Sequence, residues 1–152
     1  MVPKLTQDDL ATLYDRDFYL WIQTTVDRIR SGQFDGIDWD NVTEELESMG
    51  KRDKRELKNR TIVLIVHLLK WKYQSSRRST SWRLTIREQR RQINDLLQDS
   101  PSLQPYLTNS FSQWYQNARE DAAEETQLPI ATFPEVCPFS FDECLDLRFL
   151  PE

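Results

Sequence analysis

"KRDKRELKNRTIVLIVHLLKWKY", Lys51 to Tyr73, decides the fold. Taken alone, its apolar run "IVLIVHLL" from Ile62 to Leu69 reads equally well as a buried strand. Leu57, Thr61, Leu64, Leu68 and Trp71, however, recur at offsets of three and four, and no turn residue separates the run from the charged residues before it. The spacing predicts one helix over 51–73. Ile62, Ile65, Val66 and Leu69 lie beside that seam, so the second half is apolar nearly all round and needs neighbours on several sides. This is expected to be the central helix. Neither Gly nor Pro occurs between Gly50 and Pro101, which extends the helical reading downstream.

Upstream, Phe18, Trp21, Ile22, Val26 and Ile29 stripe a helix expected to start near Thr12 or Asp15 and to stop at Gly32, with Arg28 and Arg30 in its last turn. Asp38, Asp40 and Asn41 are cap residues. Asn41 with Glu44 has capping-box spacing, predicting a short helix that ends at Gly50, with Val42, Leu46 and Met49 as its buried stripe. Beyond Tyr73, Ser79 to Ser81 can cap a helix from about Trp82 to Gln98. "DSPSLQP" then breaks the chain, and Leu107, Phe111, Trp114, Ala118 and Ala122 stripe a further helix to about Thr126. Pro129, Pro134 and Pro138 impose an extended segment before a short helix capped by Ser140 and carrying Phe141, Cys144 and Leu145. The expected fold is all-α: one domain over 1–152 (core about 13–146), a bundle of five to six helices.

A chain of 152 residues can bury one sizeable core. Its longest apolar run is far shorter than the roughly 20 residues that cross a bilayer, so no membrane association is expected. Cys137 and Cys144 are the only cysteines. The opening Met1 to Asp9 reads as polar and acidic rather than as a secretory leader, which predicts a reducing, cytoplasmic setting. The cysteines lack the short pairing and histidine company of a zinc site. No Gly-rich phosphate loop and no serine nucleophile elbow appears.

The net charge is -5, yet His67 to Arg91 is strongly basic. With Arg83 set at zero and about 100° per residue, Arg87, Arg90 and Arg91 fall within about 80° of it, while Trp82, Ile86, Ile93, Leu96 and Leu97 gather on the other side. One flank of arginines is thereby set beside a buried stripe. Arg83, Arg87 and Arg91 are candidates for nucleic-acid or anion contact. The competing expectation is that this flank is solvated or paired within the molecule, against Glu44, Glu45 and Glu47 or against Glu120, Asp121, Glu124 and Glu125. The acidic pI of about 5.0 disfavours nucleic acid.

His67 is the only histidine and sits in the most apolar run. Glu45 lies only about 60° from the centre of its own helix's stripe, which makes it the carboxylate expected to be half-buried; His67, Arg60 or a later arginine would neutralise it. Glu45, His67, Lys70, Trp71, Gln89 and Arg90 form the expected ligand or partner pocket. Glu45, His67, Asp121 and Glu125 are the alternative set for a divalent metal in a helical phosphohydrolase-like enzyme. A third reading makes His67 a core residue that fixes packing register.

"DFYLWIQ", "IDWDNVTEELESMGKRDKRELKNR", "HLLKWKYQ", "SWRLTIREQRRQI", "SPSLQPYL" and "AAEETQLP" with "TFPEVCPFS" resemble, in that order, the bacterial all-helical family known as domain of unknown function twenty-nine. The resemblance runs from about Leu13 to Asp146 and leaves the final "LRFLPE" outside. Trp21, Glu45, Gly50, His67, Lys70, Trp71, Trp82, Gln89 and Arg90 stand at its motif positions. It implies an all-helical domain and no particular activity. The functional expectation is a cytoplasmic helical binding or interaction module without a cofactor, contacting a protein partner or a second copy of itself.

Overall fold

The computed structural model describes residues 5–152; Met1 to Lys4, part of the polar opening, lie outside them. Six α-helices make up the described chain: α1 (Gln7–Arg16), α2 (Phe18–Arg30), α3 (Trp39–Tyr73), α4 (Thr80–Asp99), α5 (Gln104–Thr126) and α6 (Phe141–Leu145). Short 3-10 turns link them, and no strand occurs among the described residues. No described helix is long and apolar enough to cross a membrane. The all-α expectation holds. Two compact units are distinguished along the chain, one ending at Lys51 and one spanning Arg52–Glu152.

The boundary falls inside α3, where the sequence suggests a helix end. Gly50 neither stops the helix nor adopts a positive φ, and α3 runs unbroken through 35 residues. A mid-helix glycine costs only about 1 kcal/mol relative to alanine, and the Glu, Leu, Lys and Arg residues on both sides outweigh it. The helix begins at Trp39 rather than Asn41, because the Asp38 carboxylate accepts from the Asn41 backbone N–H and side-chain amide.

In the first unit the helix expected from Thr12 or Asp15 to Gly32 is found as α2, from Phe18, and a further helix, α1, precedes it from Gln7. Asp17 leaves helical geometry (φ -149°, ψ 85°) and its side chain accepts from Leu20 N–H, closing α1 and opening α2. Within α2 the buried face is Trp21, Thr25 and Arg28. Of the expected stripe only Trp21 is buried; Phe18, Ile22, Val26 and Ile29 are exposed. Leu46 and Met49 are exposed as well, because α3 turns Val42 and Glu45 inward instead. So small a unit cannot cover every apolar side chain it carries. Tyr14, Phe18 and Trp21 cluster with ring centroids 5.0–5.6 Å apart, and the Trp21 indole N–H donates to buried Asp38.

The second unit has one continuous core. Leu57, Leu64, Ile65, Leu68 and Leu69 of α3 are fully buried against Ile86 and Ile93 of α4, Leu107, Trp114, Tyr115 and Ala118 of α5, and Phe133, Phe139 and Cys144 beyond. The second half of α3 is central, as its all-round apolarity requires. Ser79 caps α4, and Ser140 with Glu143 makes a reciprocal capping box on α6. The Tyr115 hydroxyl donates to Pro134 O and the Arg119 guanidinium to Phe133 O, which pins the extended proline-rich segment along α5.

Candidate functional site

The six residues expected to form one polar pocket each meet a different partner. Glu45, in the first unit, accepts from the Tyr14 hydroxyl rather than from a cation. That hydrogen bond, aided by burial, pushes the Tyr14 phenol up to about 12. His67 is half-buried, with Nδ1 2.9 Å from Val63 O. A carbonyl only accepts, so Nδ1 carries the proton when the ring is neutral. Burial holds the imidazole below its ordinary value, against the raising influence of the Val63 bond. Lys70 pairs with Glu125 of α5 at 3.1 Å and lies over the Trp82 ring. Arg78 stacks on Trp71 and donates to its carbonyl. Gln89 accepts from Arg60, which Glu56 also holds.

Arg90 differs from the other arginines of α4. It joins the buried stripe of Ile86 and Ile93 rather than the basic flank, and is 1% exposed. Its Nε donates to Cys144 O (2.8 Å), Nη1 to Phe149 O (2.7 Å) and Nη2 to Glu143 O (3.2 Å). The guanidinium thus satisfies carbonyls at the C-terminal end of α6 and in the tail after it, where the partial charge of the helix is negative. Burial lowers its pKa against the opposing influence of Cys144 and Asp146, and among the described residues no carboxylate bonds it. An arginine remains charged even so.

This arrangement builds a cleft of about 380 Å³ along α4. Arg83, Arg87 and Arg90 of α4 line it together with Leu147, Arg148 and Leu150 of the tail; among the described residues no Asp or Glu lines it. Of the two forms of the competing expectation, solvated or paired within the molecule, the first fits this flank: Arg83, Arg87 and Arg91 are exposed. Among the described residues the ion pairs are Glu56–Arg60 and Lys70–Glu125, so only Lys70 of the basic stretch finds an acidic helix. Arg83, Arg87 and Arg148 have no side-chain hydrogen bond or ion pair among the described residues. Arg91 is exposed and does not line the cleft.

Arg148 is the cleft residue that the sequence did not disclose. It lies in the "LRFLPE" tail, 61 positions beyond Arg87 in the numbering. No local pattern marks it, because it is brought to α4 by the Arg90 bonds to the tail and by the packing of Phe149 and Leu150 on the core. Among the described residues no three His, Cys, Asp or Glu side chains gather into a group that could hold a metal ion; the alternative set of Glu45, His67, Asp121 and Glu125 gains no support. Asp121 is exposed, and slight burial together with Glu125, Glu124 and Glu120 raises its pKa.

A protein-family model described as Domain of unknown function DUF29 matches residues 13–150, and so extends past Asp146 into the tail that lines the cleft. No curated protein and no solved structure matches the chain.

Proposed function

Since the chain belongs to the Domain of unknown function DUF29 family, whose description assigns no activity, we propose from the geometry that it is a binding module whose arginine cleft holds a ligand bearing several negative charges. One observation carries the reading. Arg83, Arg87, Arg90 and Arg148 converge on one cleft without a lining carboxylate, in a protein whose net charge is -5. Unbalanced like charges repel one another, and an anion relieves that repulsion while accepting hydrogen bonds from the guanidinium forks. Three of the five N–H groups of Arg90 are used by the tail, so its part is to hold the tail and supply charge. Arg83, Arg87 and Arg148 are the residues assigned to ligand contact. Leu147 and Leu150 give the cleft an apolar edge, which suits a small phosphorylated or polycarboxylate molecule better than bare phosphate.

The test is calorimetric titration of the whole chain at low salt with inorganic pyrophosphate, with citrate and with a short single-stranded oligonucleotide. Binding of pyrophosphate or citrate, weakened about tenfold by Arg87→Gln and again by Arg148→Gln, is expected; one charge-assisted hydrogen bond corresponds to about that factor. Saturation should also raise unfolding free energy by about 2.7 kcal/mol at a hundredfold excess over Kd. Failure of both small anions to bind, or affinity unchanged in both variants, overturns the proposal. Tight binding of the oligonucleotide alone, with a steep salt dependence, replaces it with the nucleic-acid reading.

A further inference from the structure

The apolar stripe that the first unit leaves uncovered on α2 is continuous. With Phe18 set at zero and about 100° per residue, Ile29, Ile22, Val26 and Tyr19 follow within an arc of about 100°. Each is exposed, from 37% at Ile22 and Val26 to 69% at Tyr19. Trp21, Thr25 and Arg28 occupy the neighbouring arc and are buried, so the interior of the unit takes one side of the helix and leaves the adjacent apolar side to solvent. Among the described residues eleven large apolar side chains are exposed between Leu5 and Lys51, against five in the longer second unit. Single exposed apolar residues need no account, whereas a ridge of them marks an interaction surface.

The charge of the unit selects the occupant. From Met1 to Lys51 the chain carries eleven Asp and Glu against five Lys and Arg. That is a net of -6 in a protein whose total is -5, which leaves the second unit nearly neutral. Asp15, Asp17, Asp27, Asp40, Glu44 and Glu47 are exposed, and among the described residues no ion pair involves this unit. We propose that the α2 ridge docks a basic amphipathic helix of another protein, whose apolar residues interlock with Phe18, Ile22, Val26 and Ile29 and whose Lys and Arg residues answer the negative potential of the unit. Offsets of four, four and three along the ridge are those that fit the grooves of a second helix. A second copy of this chain would set one net charge of -6 against another, and an anionic bilayer is repelled for the same reason. Phe18 is already braced on Tyr14 and Trp21, so the ridge meets its partner with little left to order.

The probe is a fluorescein-labelled peptide of leucine and lysine, with leucines at offsets of three and four, titrated with the whole chain at physiological salt and read by anisotropy. Saturable binding of one peptide per chain is expected, about tenfold tighter than that of the same peptide with glutamate in place of lysine, or of a shuffled peptide without an apolar face. Ile22→Ala combined with Ile29→Ala should weaken it about tenfold. Arg87→Gln, in the arginine cleft of the other unit, leaves it unchanged, so this proposal and the cleft's ligand fail separately. Tyr19→Ala removes only the most exposed residue of the ridge and carries the test, with a severalfold loss, if the double variant does not fold. Affinity unchanged in these α2 variants, or equal for the shuffled or the acidic peptide, overturns the proposal. So does sedimentation showing a dimer that Ile22→Ala with Ile29→Ala dissociates, which assigns the ridge to a second copy. Binding of phosphatidylglycerol vesicles that is lost in the same double variant overturns it in favour of a membrane.

Discussion

Each unit is stapled by one buried arginine, and the two staples differ in what they demand of the sequence. Arg28 of α2, 7% exposed, donates to Leu5 O and Gly36 O. Arg90 of α4, 1% exposed, donates to Cys144 O, Phe149 O and Glu143 O. Among the described residues neither guanidinium bonds a carboxylate. In both units a positive charge stands in for the regular structure that the irregular segments lack, supplying donors to their carbonyls. Arg90 is enclosed by a continuous core and leaves free arginines beside it. Arg28 presses so closely on its loop that a Cβ on Gly36 would stand 2.5 Å from Nη1. The same side chain therefore underlies a ligand cleft in one unit and a steric constraint in the other.

The widest gap between the staples is expected on their removal. Arg90→Met should cost about 3–5 kcal/mol, since it orphans the Cys144 and Phe149 carbonyls beside a continuous core and leaves Glu143 O only the Asp146 N–H, against about 2–3 kcal/mol for Arg28→Met, whose partners Leu5 and Gly36 are less buried. Urea unfolding followed by far-UV circular dichroism measures both, and equal costs would abolish the distinction. Next in size, Gly36→Ala should destabilise by about 1–3 kcal/mol through overpacking on Arg28. In an Arg28→Met background that penalty should shrink, giving a coupling energy above about 0.5 kcal/mol in a double-mutant cycle. Strict additivity would place the constraint elsewhere.

At the boundary between the units, Gly50 sits mid-helix, and a methyl group added to it would meet nothing within 4 Å. Gly50→Ala should stabilise by about 0.5–1 kcal/mol; a loss of stability would mean that the glycine serves some purpose a continuous α3 does not show. The smallest effect belongs to His67. Its folded pKa lies below the ordinary 6.5, chiefly through burial, with Lys70 lowering it further and Glu125 opposing. Above 6.5 the ring is neutral folded and unfolded and contributes nothing; as pH falls below that, the unfolded chain takes the proton first and stability drops. Asp121, with a raised pKa, acts in the opposite sense at lower pH. Comparing the parent with His67→Gln between about pH 7 and 5.5, above the carboxylate range, isolates the histidine: the variant should show the flatter slope.

Helix existence was legible because apolar residues at offsets of three and four leave few alternatives. Helix ends were legible where a cap acts within three or four residues, as at Ser79 and Ser140, and where the apolar stripe runs out, as at Tyr73 and Thr126. Gly50 and Asp17 show the limit. Whether a glycine ends a helix, or an aspartate interrupts one, depends on the summed preference of neighbours and on what the next segment can bury. Arg83 and Arg87 were identified as anion-contact candidates from helical phase alone. Arg90 was placed on the wrong face, since its offset of about 40° from Ile86 is too small to decide burial without knowing which carbonyls await it.

By itself the sequence determined the class of the protein: stretches that coil, an apolar second half of α3 that must be surrounded, and a row of arginines along α4. Local periodicity suffices for that, because each turn of helix is specified by residues within one or two turns. Only the tertiary structure decided which charges meet. It brought Arg148 to one cleft with Arg83 and Arg87 and matched Glu45 with Tyr14. Pairings across long chain separations are chosen by the packing of the elements between them, and no short stretch of the chain carries that information.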